Sequence, residues 1–421
     1  MTRSDWSSHN DQYLAKPASL MKLLTATAAW EKLGPKFQFV TSLHYKKEGT
    51  HQAAVQLIFN GDPTLTITDL AQLVHHLKQA GINQIIRFDV DDSHYSGHQW
   101  GLGQVWNDHG ICFAAPVTAI ILDHNCVRGN LRPTQMGQPA RLFVSDYAGV
   151  SFTNQVITRP SSSTCEPLHE VTSNNHFTLS GCISAEKTEL PLAFSVVNVH
   201  AYLRAILQKM TQLEGVQWDG ELHFMSVTSP YTKYVAHVSK PLADLLHHML
   251  KVSDNVIADS LFKQLAWQSD KGVGTYREGA KVVWQVLAIH HIAKRNQVMM
   301  DGSGLSREDL IYPETFYKVL QLWLHDPKFH SLIDDLPISG VDGTLRYRHS
   351  VLTAQLKGEI HAKTGSMDGV SNLAGYIYRR GKLIPFVLMS NQVADSDESM
   401  SAIDRMKDYE QSWLLAGLKH Q

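Results

Sequence analysis

The sequence predicts an α/β protein of several domains, with a core interrupted by inserted material that is partly β-rich. Three observations predict it. The chain runs to 421 residues, longer than one hydrophobic core usually grows, so two or three domains are expected. From Pro241 to about Asp326 apolar residues recur at helical spacing, and strand-like runs return near Lys363. Between about Ser93 and Ser184, Gly, Pro, Ser, Thr and Asn separate short apolar runs, the signature of a small β-rich module.

The elements follow in order. Pro17-Ala18 leads into Ser19, the run Leu20 to Trp30 reads as a mostly apolar helix, and Gly34-Pro35 stops it. Ala53 to Phe59 reads as a strand, Asp69 to Lys78 as a helix ended by Gly81, and Ile85 to Val90 as a second strand. Leu242 to Lys251 is an amphipathic helix, and Val256 to Phe262 resumes the apolar pattern after Ser253-Asp254-Asn255. A Ser or Asp at that junction is an ordinary N-cap, which leaves Asn255 unexplained. Asn372 to Tyr378 and Ile384 to Met389 read as neighbouring strands, and Ile403 to Glu410 as a final helix. There is no repeat and no low-complexity tract.

Composition excludes several function classes. A formal charge of −2 gives no reason to expect nucleic acid or an anionic membrane as partner. The longest strongly apolar run, Ala114 to Leu122, is far short of the ~20 residues that span a bilayer. Histidine is frequent, at 23, yet the pairs His75-His76, His247-His248 and His290-His291 are adjacent, and adjacent helical residues point about 100° apart. No metal site is expected. Gly-x-Gly-x-x-Gly, Walker and Gly-x-Ser-x-Gly strings are missing, and no cofactor is expected. The even set Cys112, Cys126, Cys165 and Cys182 suggests pairing in an oxidising compartment. Three connectivities are open; sequential pairing is the expected one, with four buried free thiols as the alternative.

Three short strings carry chemistry: Ser19-Leu20-Met21-Lys22, Ser253-Asp254-Asn255 and Lys363-Thr364-Gly365. Residues three apart share a helical face, so Ser19 and Lys22 point the same way, near the positive end of the helix dipole. That is a nucleophile beside an amine base. Ser-x-x-Lys recurs at Ser184–Lys187, in a polar stretch, and at Ser260–Lys263, inside a helix without a start signal. Lys-Thr-Gly occurs once, and alone it usually marks a turn.

Longer strings extend the pattern: Pro17-Ala18-Ser19, Gly61-Asp62-Pro63-Thr64-Leu65-Thr66, Trp106-Asn107-Asp108, Ala115-Pro116-Val117, Ser253-Asp254-Asn255-Val256-Ile257-Ala258-Asp259, Asp301-Gly302-Ser303-Gly304-Leu305-Ser306-Arg307 and Lys363-Thr364-Gly365-Ser366. From about residue 12 to about 400 the chain resembles the class C low-molecular-mass penicillin-binding proteins, peptidase family S13. The resemblance implies a transpeptidase-like core, an antiparallel sheet with flanking helices, interrupted by two inserted subdomains. It assigns 1–44 and 230–421 to the core, 45–92 and 185–229 to an α/β subdomain, and 93–184 to a β-rich subdomain with the four cysteines.

The activity implied is a serine D-alanyl-D-alanine carboxypeptidase/endopeptidase acting on peptidoglycan peptides through an acyl-enzyme, with β-lactams as covalent inhibitors. Ser19 would be the nucleophile and Lys22 the base, its pKa lowered by burial and by Lys363. Ser253 would relay a proton, and Asn255 would hold Lys22 and the substrate amide. Lys363 and Thr364 would bind the terminal carboxylate beside Gly365. The resemblance places Lys363-Thr364-Gly365 on an edge strand, where the amides of Ser19 and Ser366 would form the oxyanion hole. Asp108 would take the free amine of the cell-wall diamino acid, with Leu305, Arg307 and Met367 as further contacts. The expected location is the periplasm. The pattern departs at the start: Met1 to Ser8 is polar with no signal-peptide core, and only 18 residues precede Ser19. Two other readings follow, an N-terminally truncated non-catalytic cell-wall-binding homologue and a β-lactamase. The oligomeric state is open, a homo-oligomer included.

Overall fold

The computed structural model describes residues 9–145, 148–161, 165, 167–269, 272–391 and 402–419. The polar start Met1–Ser8 lies outside them. In chain order the elements are α1 (Met21–Lys32), β1 (Val40–Lys47), β2 (Gln52–Ile58), α2 (Ile67–Gln79), β3 (Gln84–Asp91), β4 (Cys126–Arg132), β5 (Arg141–Val144), β6 (Ser151–Asn154), β7 (Ile157–Arg159), β8 (Pro167–Val171), β9 (His176–Ser184), β10 (Leu190–Ser195), α3 (Val199–Leu213), β11 (His223–Phe224), β12 (Lys233–Val238), α4 (Leu242–Val252), α5 (Asn255–Trp267), α6 (Tyr276–Ile289), α7 (Pro313–His325), α8 (Ser331–Asp334), β13 (Ile360–Met367), β14 (Val370–Arg379), β15 (Lys382–Asn391) and α9 (Ala402–Lys419). Among the described residues no helix is long and apolar enough to cross a membrane.

The chain forms two compact units. The first contains residues 1–37, 101–104 and 241–421, and the second 38–100 and 105–240. These boundaries differ from those drawn on the sequence at 44/45 and 229/230. The earlier cut would fall inside β1, whose partners are β2 and β12, so the whole strand goes with the inserted sheet. Residues 101–104 return to the first unit because their backbone is bound there: Gly103 O accepts from Arg307 N at 3.0 Å and Leu102 O from Ser306 Oγ at 2.6 Å.

In the first unit α1 is buried along its length, from Met21 to Trp30, because it packs against α4, α5, α6 and α7. Its narrow sequence amphipathicity fits that surrounded position. Gly34 takes φ +78° just past the helix end, as the stop signal requires. The string Lys363-Thr364-Gly365 lies in strand β13, as the resemblance implies, although such a string alone usually marks a turn. β13 pairs antiparallel with β14, and β14 with β15. In that three-stranded sheet β13 is an edge. One apolar cluster under the sheet joins Ile360, Leu373, Ile377 and Phe386 to Leu414 of α9.

In the second unit a five-stranded sheet runs β11-β3-β2-β1-β12, with β2 and β3 parallel. The α2 helix is the crossover a parallel pair needs. A second set of strands forms two further sheets, β10-β4-β5 and one built around β9. β10 pairs with β4, so residues 190–195 belong to the β-rich sheets although the sequence reading put them in the α/β subdomain. The disulfides are Cys112–Cys126 and Cys165–Cys182, the sequential pairing expected. The first closes a loop of 14 residues, and a loop of about that length restrains the unfolded chain by about 3 kcal/mol. Replacing Cys112 and Cys126 by Ala is expected to lower the unfolding free energy of the second unit by about 3 kcal/mol. Urea unfolding followed through a probe in that unit checks it; an unchanged midpoint would refute the restraint.

Candidate active site

Ser19 sits in a 3-10 turn, Ala18–Leu20, that runs directly into α1. The turn is tight: Ala18 takes φ +46°. Two glycines let other segments reach it. A Cβ on Gly304 would meet Ala18 O at 1.8 Å, and one on Gly365 would meet Pro17 O at 2.6 Å. Any side chain at either position would push the Ser19 turn away from its neighbours.

Lys22 follows one turn later, with 0 % of its surface exposed. Its Nζ reaches Ser19 Oγ at 2.9 Å, Asn255 Oδ1 at 2.6 Å and Ser303 O at 2.7 Å. An ammonium has three protons for these three acceptors. A neutral amine keeps two, for Asn255 and Ser303, and turns its lone pair to the Ser19 hydroxyl. Burial pushes the Lys22 pKa down to about 8, against the pull of the Asp259, Asp301 and Asp254 carboxylates. The amine is therefore neutral in a good fraction of molecules at slightly alkaline pH. Ser19 itself is half-buried.

The second string lies between helices. Ser253 ends α4 with φ +64°, and Asp254 caps α5 by accepting from Ile257 N at 2.9 Å. Asp254 thus does the capping, and Asn255, the first residue of α5, is left to face Lys22. Ser253 Oγ accepts from Lys363 Nζ at 2.9 Å, and Thr364 O accepts from the same amine at 2.8 Å. Lys363 is also fully buried. Its pKa is held well below that of an ordinary lysine by burial, then by Lys22 and Arg348. The electrostatics thus differ from the sequence expectation: burial lowers Lys22, and the repulsion between the two amines registers on Lys363.

The outer edge of β13 faces away from β14. Ala362 N donates to Pro337 O at 2.9 Å, away from β14. Alternation along a strand puts the N–H groups of Thr364 and Ser366 on that same outer edge. Among the described residues no strand covers the edge at Lys363–Met367. Thr364 Oγ1 donates to Thr344 Oγ1 at 2.9 Å. Arg307 pairs with Asp368, in the turn after Met367, at 3.1 Å. Leu305 and Met367 are half-buried. Asp108 lies in the second unit, in the turn Trp106–Asp108.

Three participants were not singled out from the sequence. Asp259 accepts from Gly302 N at 2.9 Å and from Ser303 Oγ at 3.2 Å, so it holds the backbone whose next carbonyl takes Lys22. Asp301 accepts from Gly304 N at 2.6 Å and Ser306 N at 2.8 Å, and closes the same loop. Burial and the neighbouring Asp301 push Asp259 up to about 7. Thr344 is the third. The four-residue spacing of Asn255 and Asp259 on one helix was the available signal for Asp259. The recurrent string Ser260–Lys263 is no second nucleophile: both side chains are buried, and Lys263 lies 4.5 Å over the Tyr276 ring.

The model of the D-Ala-D-Ala carboxypeptidase 3 (S13) family matches residues 2–412. A curated D-alanyl-D-alanine carboxypeptidase DacB of Haemophilus influenzae is 34% identical, over 92% of this chain and 83% of its own. A D-alanyl-D-alanine carboxypeptidase of Actinomadura is 26% identical, over 89% of this chain and 73% of its own. The crystal structure of penicillin binding protein 4 (dacB) from H. influenzae superposes with a TM-score of 0.88 at 33% identity, covering 98% of this chain and 93% of that one. The same protein complexed with a novel β-lactam gives 0.84 at 31% identity, over 99% and 93% of the two chains.

Replacing Asp259 by Asn keeps an acceptor for Gly302 N and removes a negative charge. A carboxylate raises the Lys22 pKa, so removing it lowers that pKa. The rise of acylation rate with pH is expected to move to lower pH by roughly one unit. Second-order labelling by a fluorescent penicillin from pH 5 to 10 checks it. An acid limb left where it was would deny Asp259 any hold on Lys22.

Proposed function

The chain belongs to the D-Ala-D-Ala carboxypeptidase 3 (S13) family, and from that premise we propose that it is a serine D-Ala-D-Ala carboxypeptidase and endopeptidase of peptidoglycan peptides. The observation that carries the reading is the 2.9 Å hydrogen bond between Ser19 Oγ and a buried Lys22 amine whose other partners are fixed.

Neutral Lys22 takes the Ser19 proton as Oγ attacks the carbonyl carbon of the penultimate D-alanine. The oxyanion that forms is received by the N–H groups of Ser19 and Ser366; the helix N-terminus behind Ser19 and the outward edge of β13 support this pairing. The C–N bond then breaks. The leaving amine takes a proton that passes from Lys22 by way of the Ser253 hydroxyl, and D-alanine departs. Water attacks the Ser19 ester, Lys22 accepting its proton and returning it to Oγ.

Lys363 and Thr364 receive the terminal carboxylate, a role supported by the open edge of β13. Asn255 orients Lys22 and offers its amide N–H to the substrate. Gly365 lets β13 lie against the nucleophile's turn. Asp108, Leu305, Arg307 and Met367 are proposed contacts to the diamino-acid side chain, on the strength of their strings alone. A β-lactam presents a strained amide and a carboxylate in the same relation and acylates Ser19. Two disulfides support an oxidising, extracytoplasmic location, and for a peptidoglycan enzyme we propose the periplasm. Within the second unit we retain the two inserted subdomains, with β10 in the β-rich one.

Ser19→Ala is expected to abolish covalent labelling by fluorescent penicillin and to cut D-alanine release from a pentapeptide at least about 10³-fold. Circular dichroism controls for folding. Retained labelling in the variant would move the nucleophile elsewhere. In the native protein, the label should persist well beyond seconds; loss within seconds would favour a β-lactamase.

A further inference from the structure

The solvent face of the sheet β10-β4-β5 is unusual in a chain of net charge −2. Arg132 of β4 stands directly across from Arg141 of β5, and Asn130 across from Phe143. Alternation puts Arg128 on the same face. All three arginines are exposed, while Val127 and Leu131, on the other face of β4, are buried. Two guanidinium groups lie over the Phe143 ring, Arg132 at 5.0 Å and Arg141 at 4.8 Å. Glu189 takes Arg132 at 3.1 Å. Among the described residues no carboxylate pairs with Arg128 or Arg141. Arg128, Asn130, Arg141, Phe143 and Pro191 line an open concavity of about 660 Å³.

Like charges directly opposite each other on neighbouring strands destabilise a sheet. Here that cost is carried on an exposed face, around an aromatic ring, where a polyanion would relieve it. Guanidinium forks match carboxylates two bonds at a time. The Phe143 edge and the Pro191 ring offer apolar plates between them.

The geometry points to a carboxylate-binding surface on β4 and β5 that holds a peptidoglycan strand through its stem-peptide carboxylates, apart from the Ser19 machinery. The choice of polymer rests on the carboxypeptidase reading above. Charge complementarity selects it: the polymer bears repeated carboxylates, and the backbones of Arg128 and Arg141, four residues along and one strand across, are about 14 Å apart, a spacing for separate anionic groups and not for one. The surface would retain the enzyme on its insoluble substrate while the active site acts on successive peptides.

The test is co-sedimentation of the full chain with purified sacculi at low and moderate salt, for the native protein and for the Arg128→Gln/Arg141→Gln double variant. The expected result is binding about tenfold weaker in the variant, the conversion of two exposed charge pairs. Release of D-alanine from sacculi should fall, while penicillin labelling and D-alanine release from a soluble pentapeptide stay unchanged. Sacculi whose carboxyl groups have been amidated should lose the native protein as well. Arg128→Gln alone, which leaves the Phe143 stack intact, serves if the double variant fails to fold. Equal binding by variant and native protein, or undiminished binding to amidated sacculi, overturns the proposal. So does a loss confined to lipopolysaccharide vesicles, which would identify a lipid phosphate surface. A native protein that binds sacculi through these arginines but releases no D-alanine would instead strike the carboxypeptidase reading and leave this surface standing.

Discussion

An amine taken wholly out of water dictates the rest of the first unit. Lys22 is fully buried on a helix that is itself surrounded. An uncompensated buried ammonium costs several kcal/mol, so each of its three protons must find an acceptor or one must leave. The fold supplies one acceptor from its own helix, one from the start of α5 and one from the loop after Asp301. The loop carbonyl is the least obvious. It is aimed by Asp259 through Gly302 N and Ser303 Oγ, and Thr25 of α1 takes the Gly302 carbonyl at 2.8 Å. Burial lowers the Lys22 pKa to about 8, the property that the proposed role as base requires.

The second constraint is distance. The nucleophile's turn must lie against both the loop at Gly304 and the edge strand at Gly365, and in each case backbone meets backbone with no room for a Cβ. Asn372 on β14 fastens the same turn, donating to Lys16 O and Pro17 O at 2.9 Å each. The sheet and the helix N-terminus are thus joined through main chain. Main chain cannot change rotamer, which keeps the proposed oxyanion donors in fixed relation to Ser19.

Legibility in the sequence followed the range of the interaction. Ser19 with Lys22 is a local string whose spacing is set by a helix turn, and Ser253 with Asn255 is a local string at the junction of two helices, so both could be read; the structure bonds Ser19 and Asn255 to Lys22, and Ser253 to Lys363. The strands β2, β3, β14 and β15 and the helices α2 and α4 carried their periods openly. Lys363-Thr364-Gly365 read alone suggested a turn; its strand state comes from pairing with β14, a tertiary fact. Asp259 and Ser303 stood in the quoted strings, but the hydrogen bonds that tie them to Lys22 are tertiary and gave no role in the sequence. Subdomain edges failed where pairing overrides chain order: β1 joins the inserted sheet whole, β10 joins β4 across more than fifty residues of chain, and residues 101–104 are captured by the loop at Ser306. Asp108, Leu305, Arg307 and Met367 rest on resemblance, and only Arg307 gained a partner that ties it to β13.

The two buried lysines are best understood as a pair driven apart. Carboxylates surround Lys22, whereas Lys22 itself and Arg348 face Lys363. Repulsion therefore falls on Lys363 and, with burial, holds its pKa well below that of an ordinary lysine. On the proposed function, a substrate carboxylate at the edge of β13 would favour the charged form of Lys363 by giving it a direct partner. A charged Lys363 beside Lys22 would push the Lys22 pKa down, toward the free amine of the proposed mechanism. Carboxylate binding and base activation would then be one event, linking recognition of a C-terminal D-amino acid to the chemistry on the bond before it.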